Sequence, residues 1–514
     1  MFEIDRRKLV ASLALTGAST LTGRANAQQP LQATPNGAPG FSHDEVLRRA
    51  RELASVPPGA APALPEPLAK LDADAWRDIR FRPERALLSN NNSAFRLQTY
   101  HLGASYRRPV TVNVIRDGIA TPVPYSANLF DYGGTKFERP LPVNLGFAGF
   151  RLLYPLNDPR SMDEVISFLG NSAFNFLGRG QRSGVSTRGL AVNAGGGDEA
   201  FPFFREFWIE TPEPGADRIT IHALLDGDEA TGAYRFELRP KKDSTLDVAL
   251  TLFPRKAGAK IGFAPLASMF FVGENDRRAR PDDRAEIHNS DGLLVHTGAG
   301  EWLWRPLRAP AAMAVSAFMG KNVRGFGLMQ RDRNFDHYQD LDLAYEQRPS
   351  YWVEPVGDWG EGHVELVELP TGEEPADNIV ASWVPAVPLE QGKPFSLSYR
   401  ITSTLDQARL SPDGRVVGAY QNEAKPQGST RFVIDFAGGD LAFFMNEPSA
   451  VEIAATAANG RILKSFVTPN PHTRGFRAGF DVQLDPGQST DLRVFLRNGS
   501  RALTEIWTMP LKGD

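Results

Sequence analysis

Residues 287–307 read IHNSDGLLVHTGAGEWLWRPL and place His288, Asp291, His296, Glu301, Trp302, Trp304 and Arg305 in one strand–turn–strand span. This mixture suits a carbohydrate: flat rings stack on pyranose faces, planar polar groups hold hydroxyls, and a carboxylate moves a proton. The same residues also fit a sandwich strand whose tryptophans fill a core, because aromatic side chains mostly bury. Asp291 lies in Ser290-Asp291-Gly292, a turn in which an aspartate commonly caps its own backbone. Two further clusters follow. Residues 339–352 (QDLDLAYEQRPSYW) carry Asp340, Asp342, Tyr345, Arg348, Tyr351 and Trp352, and residues 371–383 (TGEEPADNIVASW) carry Glu374 and Asp377 before an apolar strand. A solvated acidic loop is the alternative reading of the second cluster, and a salt bridge at a strand end that of Arg331-Asp332-Arg333.

Other chemistries lack their motifs. There is no P-loop, no dinucleotide-type glycine fingerprint opening a helix, no H-E-x-x-H and no G-x-S-x-G. Gly195-Gly196-Gly197 precedes Asp198 and Glu199 in what reads as a surface loop. The eight histidines are dispersed, and His288 and His296 have no evident third ligand, so no metal and no cofactor is expected. With no cysteine, disulfides, thiolate metal sites and a cysteine nucleophile are excluded. A formal net charge of -4 without a long basic run argues against nucleic acid as a partner.

The elements that must position these residues are mostly strands. Runs at 235–238, 245–253, 312–318, 364–369 and 395–401 are short, often alternating, and bounded by Gly, Pro, Asp or Asn. Helices are expected at 42–54, where Ser42 and Glu45 form a capping-box pattern, and from Ser161 to about Gly170, with Glu164 in the same relation. Asn459-Gly460 and Asn498-Gly499 each fall between apolar runs and predict hairpins. With 514 residues, two domains are the default. The fold class is all-β: a large sandwich over 41–405 and a small immunoglobulin-like sandwich over 411–514, joined by a linker within 403–412. Residues 1–27 read as a signal peptide cleaved after Ala27. Arg6-Arg7 before the apolar run suggests the twin-arginine route, with a Sec signal as the alternative. Residues 28–40 (QQPLQATPNGAPG) read as a flexible leader to a periplasmic protein.

From about Phe41 to the C-terminus the chain resembles the OpgG/OpgD (MdoG/MdoD) family of osmoregulated periplasmic glucan biosynthesis. The resemblance rests on residues 145–157 (LGFAGFRLLYPLN), 206–214 (EFWIETPEP), 226–240 (DGDEATGAYRFELRP), 289–307, and 325–370, the last opening GFGLMQRDRNFDHYQDLDLAYEQRPSYW. The leader and the Asp at 291 favour the OpgD-like branch. The resemblance implies a mutarotase-like sandwich followed by an immunoglobulin-like domain, and activity on β-1,2-glucan as an anomer-inverting hydrolase or a transglycosylase. It matches Asp377 to the general acid and Asp291 to the general base, with the proton passing along hydroxyls and waters. It places Glu374 and Tyr345 at polar site positions. Trp302, Trp304, Tyr351, Trp352 and Trp359 are stacking candidates and Arg348 a binding residue, and Glu374 is expected to raise the Asp377 pKa by like-charge repulsion. A homodimer, because partner chains help close the cleft in some relatives, and a functional link to a membrane glucan synthase are further expectations. The rival reading is a non-catalytic glucan-binding or assembly factor.

Overall fold

The computed structural model describes residues 40–59, 63–89, 92–274, 276, 284–372, 374, 377–407, 410–411 and 413–513. The expected signal peptide and the expected leader up to residue 39 lie outside the described residues.

The first helix forms as His43–Ala54. Val46 and Ala50, one turn apart, are fully buried against the strands Ile219–Asp226 and Ala230–Arg239. Its capping box does not close. Ser42 is the N-cap but its side chain makes no cap bond, and Glu45 accepts from Arg48 and Arg49 instead of reaching back. The helix covers one face of a sheet whose other face meets the main core. Along Ile219–Asp226, Ile219, Ile221, Ala223 and Leu225 point into that core, while Leu224 packs under the helix. Alternation of successive side chains thus buries every residue of this strand.

Two large sheets enclose the main core. One has ten strands and includes Gly149–Tyr154, Asp163–Leu169, Ile261–Ser268, Ile379–Pro385, Glu361–Glu368 and Ala314–Lys321. The other has fifteen and runs through Ala230–Arg239, Ser244–Pro254, Phe395–Thr404, Ser350–Val356, Gly325–Met329, Gly292–His296 and Trp302–Pro306. The protein is therefore all-β with few short helices. The second expected helix is a correction: Asp163–Leu169 is a strand, paired on both sides. Its Val-Ile-Ser-Phe core has β-branched and aromatic side chains that a two-sided buried strand accommodates. Glu164 bonds Tyr100 and Arg151 rather than a helix start, and Gly170 makes the tight turn into Ala173–Phe176 with φ +79°.

Near the C-terminus the Asn459-Gly460 expectation also fails. Glu452–Ala457 pairs with Ser489–Asn498, whereas Arg461–Asn470 pairs with Gly475–Gln483 in a separate four-stranded sheet. The turn carries the chain between sheets, since Asn-Gly specifies a tight reversal and not the partner. Asn498-Gly499 does make a hairpin, with Arg497 opposite Ala502. Phe41–Asp514 is one unit by its contacts. The C-terminal strand Ile506–Lys512 runs parallel to Trp302–Pro306, with Trp507 beside Trp304, and so extends the fifteen-stranded sheet. The four-stranded sheet packs over this extension through Phe432, Phe480 and Trp507.

Candidate active site

Asp291 stands at the entry to the strand Gly292–His296, held between two neighbours. Its N–H donates to the Met329 carbonyl (2.8 Å) and its carbonyl accepts from Leu307 (2.8 Å). Residue 292 must be glycine, because a Cβ there would meet the Trp304 ring at 2.4 Å. The Asp291 carboxylate does not cap its own turn. Oδ2 accepts from the backbone N–H groups of Arg331 and of Asp332 (2.9 Å), forty residues downstream. The side chain keeps 15% exposure and faces a cavity of about 330 Å³ that Glu274, Glu286, Asp332 and Arg333 also line.

Behind Asp291 lies His288, fully buried. Its Nε2 sits 2.8 Å from Glu286 Oε2 and 3.4 Å from Asp291 Oδ1, and its Nδ1 is 2.9 Å from Gln330 Oε1. Burial works against a charge on this ring, but Asp291 and Glu286 outweigh it and raise the pKa to about 9. For Asp291 burial raises the pKa, with Glu286 adding to the rise, while His288 and the two backbone donors pull it down; the net direction is up. Glu274, across the cavity, accepts from Ala419 N–H (2.9 Å) and is pushed up to about 8, by burial first and then by Glu286, Asp291 and Asp332.

Asp377 occupies a different setting. It is exposed at the end of the acidic loop, and it does not line the cavity beside Asp291. Protein nonetheless surrounds it closely enough that loss of bulk water raises its carboxyl above the usual range, against Arg188 and Arg348. The loop is pinned by the next residue: the buried Asn378 bonds Phe270 N–H through Oδ1 (2.8 Å) and the Phe270 carbonyl through Nδ2 (2.9 Å). Arg348 links the two settings. It donates to Asn289 Oδ1, two residues before Asp291, and its guanidinium lies 3.9 Å over the Tyr345 ring. Among the charges it feels are those of Glu374 and Asp377.

The expected Glu374 effect on Asp377 is overturned. Glu374 is engaged by Arg284, at 2.7 Å through Nη2, and by the Tyr345 hydroxyl. Its charge is offset there, and the Asp377 shift comes from burial. Arg284 also holds Asp340 at 2.8 Å. Glu374, Tyr345, Arg348 and Asp340 therefore form one polar cluster on the Asp377 side, although Tyr345 is itself buried.

Most aromatic candidates are corrected. Tyr351 is fully buried, its hydroxyl bonded to the backbone of Phe176. Trp359 is 5% exposed and donates to the Ser398 carbonyl, with its ring against Trp383. Trp302 stacks between His296 (4.0 Å) and Trp352 (5.6 Å) under the C-terminal sheet. Those four rings have no open face for a sugar. Trp304 shares the core with Trp302, as strand alternation requires, yet it reaches the cavity wall. Its ring carries the Arg331 guanidinium at 3.5 Å. Arg331 forms a bidentate pair with Glu505, at 2.6 and 2.9 Å, so the expected salt bridge exists but is buried and ties the site to the C-terminal strands.

Sequence reasoning passed over Glu286, Gln330, Glu274 and Arg188, and it discounted His288. A signal was present for one pair: Glu286 and His288 are two apart in an extended segment and share a face. Glu286, His288 and Asp291 come close enough to suggest a cation, as do Glu286, Asp332 and His337. In both groups the atoms already satisfy one another: His288 bridges Gln330 and Glu286, and His337 bonds Asp332 and Asn334.

Fold and site together define a multi-sheet β protein with two carboxyls of raised pKa set in separate but connected environments. The chain belongs to the family described as periplasmic glucan biosynthesis protein, MdoG, whose model matches residues 41–511. It is 42% identical over 490 residues to "Glucans biosynthesis protein G" of Ralstonia nicotianae, covering 93% of this chain and 97% of that protein. It is 40% identical over 509 residues to "Probable glucans biosynthesis protein D" of Shewanella oneidensis, covering 97% and 92%. Against "Glucans biosynthesis protein G" of Rhodopseudomonas palustris the identity is 41% over 507 residues, covering 98% and 99%.

Proposed function

We propose that this protein acts in the periplasm on β-1,2-glucan, as an anomer-inverting glucanase or as a transglycosylase, with Asp377 as general acid and Asp291 as general base. The observation that carries the reading is the contrast between the two carboxyls. Asp377 is accessible and its raised pKa favours the protonated form that an acid needs. Burial raises Asp291 as well, but a cationic partner and two backbone donors oppose that rise and favour the ionised form that a base needs. Inversion requires one protonated carboxyl at the glycosidic oxygen and one carboxylate that takes the nucleophile's proton. Arg348 and Asn289 join the two sides through a direct hydrogen bond, which fits a proton path longer than a single water.

The residues placed to meet the substrate at the accessible end are Asp377 and the part-exposed Arg188, backed by the buried Arg348 with Glu374 and Tyr345. The test is incubation of the purified protein with linear β-1,2-glucan, followed by mass analysis of chain length and of linear against cyclic product. Binding without any change of chain length or linkage would make the protein a glucan-binding or assembly factor instead.

A further inference from the structure

The geometry points to His288 as a positioning residue: a buried imidazolium, clamped between Glu286 and Asp291, that keeps Asp291 an ionised base. This inference rests on the reading of Asp291 as the general base.

The proton count follows from the amide of Gln330. Its Nε2 lies 3.1 Å from the His288 carbonyl, 3.2 Å from the Tyr345 carbonyl and 3.0 Å from the Tyr338 hydroxyl. Carbonyl oxygens only accept, so that end of the amide must be the NH₂ group. Gln330 Oε1 then faces His288 Nδ1 and can only accept, which places a proton on Nδ1. The other nitrogen, Nε2, faces the carboxyls of Glu286 and Asp291. A neutral ring with its proton on Nδ1 would turn a lone pair toward two acceptors. An N–H at Nε2 bonds Glu286 at 2.8 Å and turns its positive charge toward Asp291 at 3.4 Å, and the ring becomes a cation. Water does not replace these contacts: the Phe270 ring stacks on His288 at 5.4 Å and Tyr338 meets it edge-on at 5.4 Å.

Acidic groups facing the cluster outnumber the cation Arg333. Glu274 faces the cluster from across the cavity, Asp332 and Arg333 from the segment after Gly325–Met329, and Tyr338 from the short helix Phe335–Tyr338. Arg331 is turned away to Glu505. The net field at the ring is negative, which raises its pKa to about 9 despite burial. Without the imidazolium, Glu286 and Asp291 would be two close carboxylates in a water-poor site, and one of them would take up a proton.

Two measurements test this. In ¹⁵N-histidine-labelled protein, with the resonance assigned by its loss in His288→Gln, both ring nitrogens should carry protons at pH 7.5. A neutral ring at pH 7 overturns the inference, whatever the protein's activity. In pH profiles of kcat/KM on linear β-1,2-glucan, His288→Gln should move the acid limb up by about one to three pH units. Glu286→Gln, which leaves the cation facing Asp291 alone, should move it down. A purely structural role would not produce opposite shifts, so unmoved limbs or limbs moving together overturn the coupling to Asp291. If wild type turns over no glucan at any pH, the enzyme reading fails, and the ring's charge is still decided by the labelled protein. Glu286→Gln also serves where His288→Gln does not fold.

Discussion

The surroundings of Asp291 and Asp377 are opposites built from the same residue types. Around Asp291, Glu286, His288 and Gln330 are buried, interlocked and backed by the Arg331–Glu505 pair. Around Asp377 the carboxyl is exposed, on a loop where the buried Asn378 is held by Phe270 and Glu374 by Arg284. The difference teaches how one scaffold gives two carboxyls, both raised by burial, unlike neighbours. Loss of bulk water around Asp377 favours the acid form against the nearby Arg188 and Arg348, while the imidazolium and two backbone donors at Asp291 favour the carboxylate against burial.

The largest effect should come from removing either carboxyl. Asp377→Asn and Asp291→Asn are each expected to lower kcat on β-1,2-glucan by about 10²–10⁴-fold, measured by released reducing ends. Full activity in Asp377→Asn would refute its role as acid. Stability should respond on the Asp291 side. Arg331→Ala leaves the Glu505 carboxylate buried and unpaired and should cost about 3–5 kcal/mol in denaturant unfolding. Trp302→Ala should cost about the same through the cavity it leaves, with glucan affinity unchanged; a selective loss of affinity would return this ring to the substrate cleft.

A smaller effect is expected from Glu274, whose pKa of about 8 in the folded protein exceeds the usual 4.5. The folded state then binds more protons than the unfolded state between these values. Its contribution to stability is complete below pH 4.5 and is lost as pH rises through 8. Glu274→Gln should remove this decline, a difference on the order of 3 kcal/mol between pH 5 and 9. Equal pH dependence in both proteins would show that Glu274 ionises normally. The smallest effect belongs to the exposed side. Arg188→Gln removes a cation that holds the Asp377 pKa down, so the basic limb of the pH–rate profile should rise by roughly half to one unit. A fall would reverse the assignment of acid and base.

Much of the fold was legible in residue patterns. The amphipathic first helix, the long strands such as Ser244–Pro254, and the Asn498-Gly499 hairpin follow from local periodicity and turn chemistry. Errors arose where a local pattern has two global uses. Ser161 and Glu164 imitate a helix start, but pairing on both sides makes a strand. Asn459-Gly460 makes a reversal whose partners lie in different sheets. The two carboxyls were found through family resemblance, and the acidic loop by composition. The aromatic assignments were the weakest part, because a sequence shows that a tryptophan is present but not what covers it.

By itself the sequence determined an all-β chain, the absence of cysteine chemistry, membership of the glucan biosynthesis family, and the two aspartates worth testing. Tertiary structure decided which rings are core, which cation meets which carboxylate, and that His288 stands behind Asp291. Its Gln330 partner is forty-two residues away, and Glu505 reaches Arg331 from 174 residues away. Backbone periodicity acts over a few residues, whereas burial and charge act through space. The protonation states that would make an acid of one aspartate and a base of the other therefore depend on neighbours that only folding assembles.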